Sequence, residues 1–135
     1  MSNKNEIIIE MYKLFRRELD DICIPEIVKI NQPHIIEENG EVAGLLCATP
    51  DYIDCIYILP KYRRKGIAKK AVIAHYEKYK DYDMRLHIIH KNEPALKFWT
   101  GIFDLELIGE NDIDGMYRIE GVKSCNNRQN EEEGT

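Results

Sequence analysis

Six basic residues crowd between positions 61 and 70, namely Lys61, Arg63, Arg64, Lys65, Lys69 and Lys70, with no acidic residue among them. They stand in a chain whose 19 basic and 24 acidic residues sum to −5. So sharp a local excess suits a phosphate-bearing ligand. The segment reads Leu59-Pro60-Lys61-Tyr62-Arg63-Arg64-Lys65-Gly66-Ile67-Ala68-Lys69-Lys70. Gly66 has no β-carbon, so an anion can approach the backbone closely, and Ala68 is nearly as small. A helix starting here presents unpaired amides and about half a positive charge at its first turn. The Gly-Lys-Ser/Thr ending of a Walker loop is missing, and a dinucleotide fingerprint needs three glycines where there is one.

Other residues able to do chemistry are scattered along the chain. Asp54 and His87 can each take up a proton, and a free imidazole pKa of about 6.5 suits work at cellular pH. Cys55 lacks the His and Asn spacing of a thiol triad and reads as a small core filler. His75 sits on the apolar stripe of a helix and reads as packing. Asn92, two residues before Pro94, has the form of a helix cap. The four cysteines, Cys23, Cys47, Cys55 and Cys125, show no Cys-x-x-Cys spacing. Neither they nor the histidines have metal-ligand spacing, so no metal is expected, and a reducing cytoplasm is the expected home.

These groups need elements to hold them. Ile7, Ile8, Met11, Tyr12, Leu14, Phe15, Leu19 and Ile22 form the stripe of an amphipathic helix over 5–22, and 27–30 reads as a short second one. Strands at 34–38 and 41–48 meet across Asn39-Gly40, a strong hairpin signal. A third strand covers 52–59, and helical spacing resumes from Ile67 to Tyr79. A strand at 84–90, a short helix from Pro94 to about Thr100, and a hairpin of 105–110 with 116–122 complete the pattern. The fold class is α+β, with a mixed sheet. The connection from 52–59 to 84–90 is long enough for a parallel crossover, which puts residues 60–68 at the carboxyl end of a strand, where ligands bind in open sheets. One domain over 1–123 is expected, with a flexible polar tail at 124–135.

In this setting Arg63-x-x-Gly66-x-Ala68, preceded by Pro60-x-Tyr62, resembles the Arg/Gln-x-x-Gly-x-Gly/Ala signature of the GNAT superfamily of N-acetyltransferases. A second segment, Asn92-Glu93-Pro94-Ala95-Leu96-Lys97-Phe98-Trp99, resembles that family's Asn-x-x-Ala-x-x-Phe-Tyr segment after the next strand. The resemblance covers roughly 34–122, with an abbreviated N-terminal half. It implies a mostly antiparallel central sheet flanked by helices, with acetyl-CoA bound as co-substrate at the strand-helix-strand unit. Amides of Arg64, Lys65, Gly66, Ile67, Ala68 and Lys69 would cradle its pyrophosphate, behind Arg63 of the motif. Backbone groups of Ile56, Tyr57 and Ile58 would pair with the pantetheine arm, and Asn92 would contact its far end. His87 falls where some members keep a carboxylate base, with Asp54 the rival. Trp99 stands where many members keep a tyrosine that protonates the leaving thiolate; Tyr57 and Tyr117 are the candidate substitutes.

The function implied is direct transfer of an acetyl group to a primary amine of a small molecule or peptide. An amine of pKa about 10.4 is some three units too protonated at neutral pH, a cost of about 4–5 kcal/mol that a base must offset. The acidic remainder of the chain favours a cationic acceptor. The alternative is a module that binds acyl-CoA without turnover, motivated by Trp99. Net negative charge argues against a nucleic-acid partner. No run of eighteen apolar residues exists to span a membrane. Members of the family are often dimers, so the resemblance also allows a homodimer.

Overall fold

Apolar side chains three and four residues apart build the first helix, α1 (Lys4–Asp21), which buries Ile8, Met11 and Leu19 and leaves Ile9 facing solvent. The computed structural model describes residues 4–21 and 33–123. The short helix expected at 27–30, the tail from 124, Cys23 and Cys125 lie outside the described residues.

Strands β1 (Pro33–Glu38) and β2 (Glu41–Thr49) pair antiparallel across Asn39 and Gly40. Both turn residues have positive φ, 54° and 81°, as a two-residue turn between right-twisted strands requires. β3 (Tyr52–Ile58) runs back along β2, and a single 3₁₀ turn, Pro60–Tyr62, leads into α2 (Ile67–Lys78). β4 (Arg85–Ile89), α3 (Glu93–Ile102), β5 (Phe103–Glu110) and β6 (Asp114–Val122) follow. The six strands lie in the order β1-β2-β3-β4-β6-β5, and only β3 and β4 are parallel. This is the α+β, mostly antiparallel sheet expected, with the parallel crossover where it was placed.

The final hairpin is longer than the sequence pattern suggests. Phe103, 1% exposed, is drawn into the core directly after α3, so β5 begins there rather than at Leu105. At the other end Asn111 Oδ1 accepts the N–H groups of Ile113 and Asp114 at 2.7 and 2.9 Å. That side-chain turn stops β5 and releases β6 at Asp114 instead of Met116.

Side chains alternate across the sheet and pack against helices on both of its faces. Leu45, Cys47 and Tyr57 meet α1 on one face. Leu46, Ala48, Ile53, Leu86, Ile88 and Ile119 meet Val72 of α2 and Trp99 and Ile102 of α3 on the other. The parallel pairing is short: Tyr52 faces Arg85 and Ile53 faces Leu86, where the β3–β4 ladder stops. Its end coincides with a bulge. Cys47 pairs with Cys55 and Ala48 with Ile53, so the register shifts at Asp54, the extra residue of a bulge in β3. A bulge bends and twists the strand that carries it. β3 therefore leaves β4 from Asp54 onward, and the sheet opens into a wedge.

Candidate active site

One side of the wedge ends in the basic loop. After Tyr62 the chain passes through Arg64 at φ 65° and Gly66 at φ 76°, and Gly66 caps α2 without any side-chain cap. The first amide of α2 to find an acceptor is that of Lys70, which donates to the Gly66 carbonyl at 3.0 Å. Among the described residues, the amides of Arg64, Lys65, Gly66, Ile67, Ala68 and Lys69 have no protein acceptor. Nothing lies within 4 Å of where a β-carbon on Gly66 would stand, so the space over the loop is open. This is a concave set of donors at the positive end of a helix, with room for an anion.

The loop is pinned from beneath. Tyr62 is buried with Ala43, Ile58 and Ile67, and its hydroxyl donates to Glu41, which holds the phenol above its ordinary pKa. Lys61 and Lys65 place their ammonium groups 5.1 and 5.7 Å from the centre of that ring. Arg63 turns inward instead: its Nε donates to the Ile58 carbonyl at 2.7 Å and its Nη2 reaches both Glu18 oxygens at 2.9 and 2.8 Å. Tyr57 Oη donates to the same carboxylate at 3.0 Å, and the guanidinium lies 5.3 Å from the Tyr57 ring centre. Burial, with Glu18 second, pushes the Tyr57 phenol up to about 12. Glu18 thus ties α1 to the loop. Sequence reading passed over this residue, because its partners lie 39 and 45 positions away.

Between β3 and β4 lies a cavity of about 290 Å³. Tyr52, Asp54, Cys55 and Ile56 line it from β3, His87 and Ile89 from β4, and Asp114 from β6. Phe15 and Leu19 of α1 form an apolar wall, and Asn92 and Trp99 close the α3 end. His87 and Asp54, the two expected bases, therefore share one cavity. Tyr52, not singled out from the sequence, joins them: its hydroxyl is hydrogen-bonded to Nδ1 of His87, with the rings edge-on at 5.5 Å. Burial first, then the charges of Asp54 and Asp114, push the Tyr52 phenol up to about 12. Cys55 faces Cys47 across the ladder; a hydrogen bond from its thiol to that neighbour's side chain, and burial, push the thiol far up, which suits a filler rather than a nucleophile.

The remaining expected residues are placed as follows. Ile56, Tyr57 and Ile58 lie on the part of β3 beyond its pairing with β4. Asn92 caps α3, its Oδ1 accepting the Ala95 N–H at 3.1 Å, while also lining the cavity. Trp99 is 7% exposed, stacked near Phe103 at 13° and edge-on to Phe98 at 4.8 Å, so it is a core residue that reaches the cavity with one side. Tyr117 pairs with Leu86 and packs in the α2–α3 core, and it is not among the residues lining the cavity. Of the two candidate proton donors, then, Tyr57 is engaged by Glu18 and Tyr117 lies on the far face of the sheet.

Comparison with known proteins agrees with this geometry. The family described as "Acetyltransferase (GNAT) family" matches residues 5–102. The solution structure of apo-form YjaB from Escherichia coli superposes with a TM-score of 0.54 at 16% identity, covering 79% of this chain and 76% of that one. An N-acetyltransferase from Staphylococcus aureus Mu50 superposes at 0.57 and 18% identity, with 82% and 93% covered. At such identities these two likenesses speak to the fold alone. No curated protein sequence matches significantly.

Proposed function

Since the chain belongs to the acetyltransferase (GNAT) family, we propose that it transfers an acetyl group from acetyl-CoA to a primary amine of a small molecule or peptide. The observation that carries this reading is the set of six unpartnered amides from Arg64 to Lys69 beside a cavity holding His87 and Asp54. The residues fit the co-substrate. Amide donors and an open space over Gly66 suit a pyrophosphate. The stretch from Asp54 to Ile58, freed from β4, suits an extended amide chain. Arg64, Lys69 and Lys70 are exposed cations beside it.

Acetyl-CoA supplies an activated acyl group as a thioester, so that an N–C bond forms while the C–S bond breaks. The chain's own residues do the rest. His87, or Asp54, takes the proton that the acceptor nitrogen must lose. A free amide of β3 near Ile56 donates to the oxygen on which charge develops, an interaction stronger in the transition state than before it. The proton held by that base then passes to the departing sulfur, which closes the balance without a tyrosine. A thiol of pKa about 8.5 is a tolerable leaving group, so Trp99 in the tyrosine's place is compatible with turnover. Phe15 and Leu19 exclude water from one wall, and Asp54 and Asp114 favour a cationic acceptor.

Trp99 also supports a second reading, a module that binds acyl-CoA without turning it over. One experiment separates the two. Acetyl-CoA at a hundred times its dissociation constant should stabilise the fold by about 2.7 kcal/mol against heat, where ATP gives far less. Gly66→Glu, which puts bulk and negative charge beside the amides, should abolish that shift. Labelled acetyl groups should then appear on members of an amine panel. Stabilisation without any labelled product identifies the binding module; no stabilisation sinks both readings.

A further inference from the structure

The ladder between β3 and β4 ends at Ile53, and beyond it a side-chain contact continues the link: Tyr52 reaches His87, two positions further along β4 than its own partner Arg85. Leu86 and Ile88 turn into the α2–α3 core, so Tyr52 and His87 share the opposite face, at the apex of the wedge. From the geometry we infer that Tyr52 is the positioning residue of His87, its phenol oxygen accepting the Nδ1–H so that the Nε2 lone pair is left to receive the acceptor's proton. This rests on the amine-acetylating reading of the cavity.

Which ring nitrogen of a histidine carries the proton is set by what its other nitrogen bonds to. At His87 that partner is Tyr52, and Nε2 has none among the described residues. The groups facing the pair are Asp54 and Cys55 from β3 and Asp114 from β6, while α1 brings only Phe15 and Leu19, and α3 only uncharged residues. Asp54 and Asp114 act on Tyr52 as negative charges, and with burial they keep it a neutral phenol at any working pH. A hydroxyl dipole in the field of two carboxylates is favoured with its proton turned towards them, which leaves an oxygen lone pair for the imidazole. Among the described residues lining the cavity, those from α1 are apolar and offer no donor to the pair.

The test is Tyr52→Phe, which keeps the ring and its edge-on contact but removes the oxygen. Nitrogen NMR of the native protein without substrate, with His87 assigned by the signal lost in His87→Gln, should show Nδ1 protonated and Nε2 bare. In Tyr52→Phe the proton should redistribute towards Nε2. The variant's kcat should fall about 10- to 100-fold, part of the 10²–10⁴ that a positioned base contributes, with KM for acetyl-CoA within about twofold of native. A native His87 protonated on Nε2, a tautomer unmoved by the substitution, or an unchanged kcat would each overturn the inference. The native spectrum decides even if the variant does not fold. Should the native protein acetylate no amine, the functional reading fails, while the spectra still decide the Tyr52 assignment.

Discussion

At the scale of single residues, burial and one good partner decide what a titratable group does. His75 shows this away from the site. Its Nε2–H donates to the Thr49 carbonyl at 2.7 Å, its ring lies 5.0 Å from that of Tyr79, and burial lowers its pKa below the ordinary 6.5. The unfolded chain therefore binds a proton on this residue at a pH where the native fold does not. Its contribution is complete above pH 6.5 and is lost as pH falls through the lower native value. Asp83, held below the carboxylate range by Arg85 and Arg118, acts only at more acid pH. Urea unfolding should thus show lower stability at pH 5.5 than at 7.5, and His75→Gln should flatten the difference. An undiminished slope in the variant would assign the effect elsewhere. The apolar stripe of α2 announces the packing of His75, but its carbonyl partner is 26 residues away and follows only from where β2 ends.

Among the elements, the one that makes the site is an irregularity. The loop at 60–68 was readable because its requirements are local: a glycine for positive φ, a run of cations, a helix start. The hairpin at Asn39-Gly40 was readable for the same reason. The bulge at Asp54 was not, since it exists only against β2, where two residues of one strand oppose one of the other. Nor was the Tyr52–His87 bond, which depends on the parallel register set 35 residues apart. The bulge invites a direct test. Cys55 and Ile53 already pair with consecutive residues of β2, so deleting Asp54 leaves both in register and on their present faces. The deletion should straighten β3, extend its pairing with β4 and close the wedge. Its melting temperature should stay near or above native, while stabilisation by acetyl-CoA is lost. Asp54→Ala is the control, because it removes the carboxylate and keeps the bulge, and it should retain the ligand shift. Loss of the shift in both variants would show that the side chain, not the bend, matters.

Over the whole molecule, charge is divided between the two ends of the wedge. A chain of net charge −5 gathers six cations in ten residues at the helix start, and lines the cavity beyond with Asp54 and Asp114. The cations are not equivalent. Glu18 engages Arg63, while Lys61 and Lys65 lean on Tyr62. Arg64, Lys69 and Lys70 are exposed beside the open amides. Exposed charges act through solvent, and the screening length falls from about 10 Å at 0.1 M salt to about 3 Å at 1 M. The amides, fixed in the fold and in direct contact with a bound phosphate, are screened far less. Acetyl-CoA binding measured by calorimetry should therefore weaken about three- to tenfold over that salt range, and then level off at an affinity set by the backbone. Replacing Lys69 and Lys70 with Gln should reduce the salt dependence while sparing the high-salt affinity. Gly66→Glu should do the opposite, removing the high-salt plateau itself. An affinity that falls with salt without levelling would mean that surface cations, not the first turn of α2, hold the ligand, and the loop would then be a general polyanion patch rather than a shaped site.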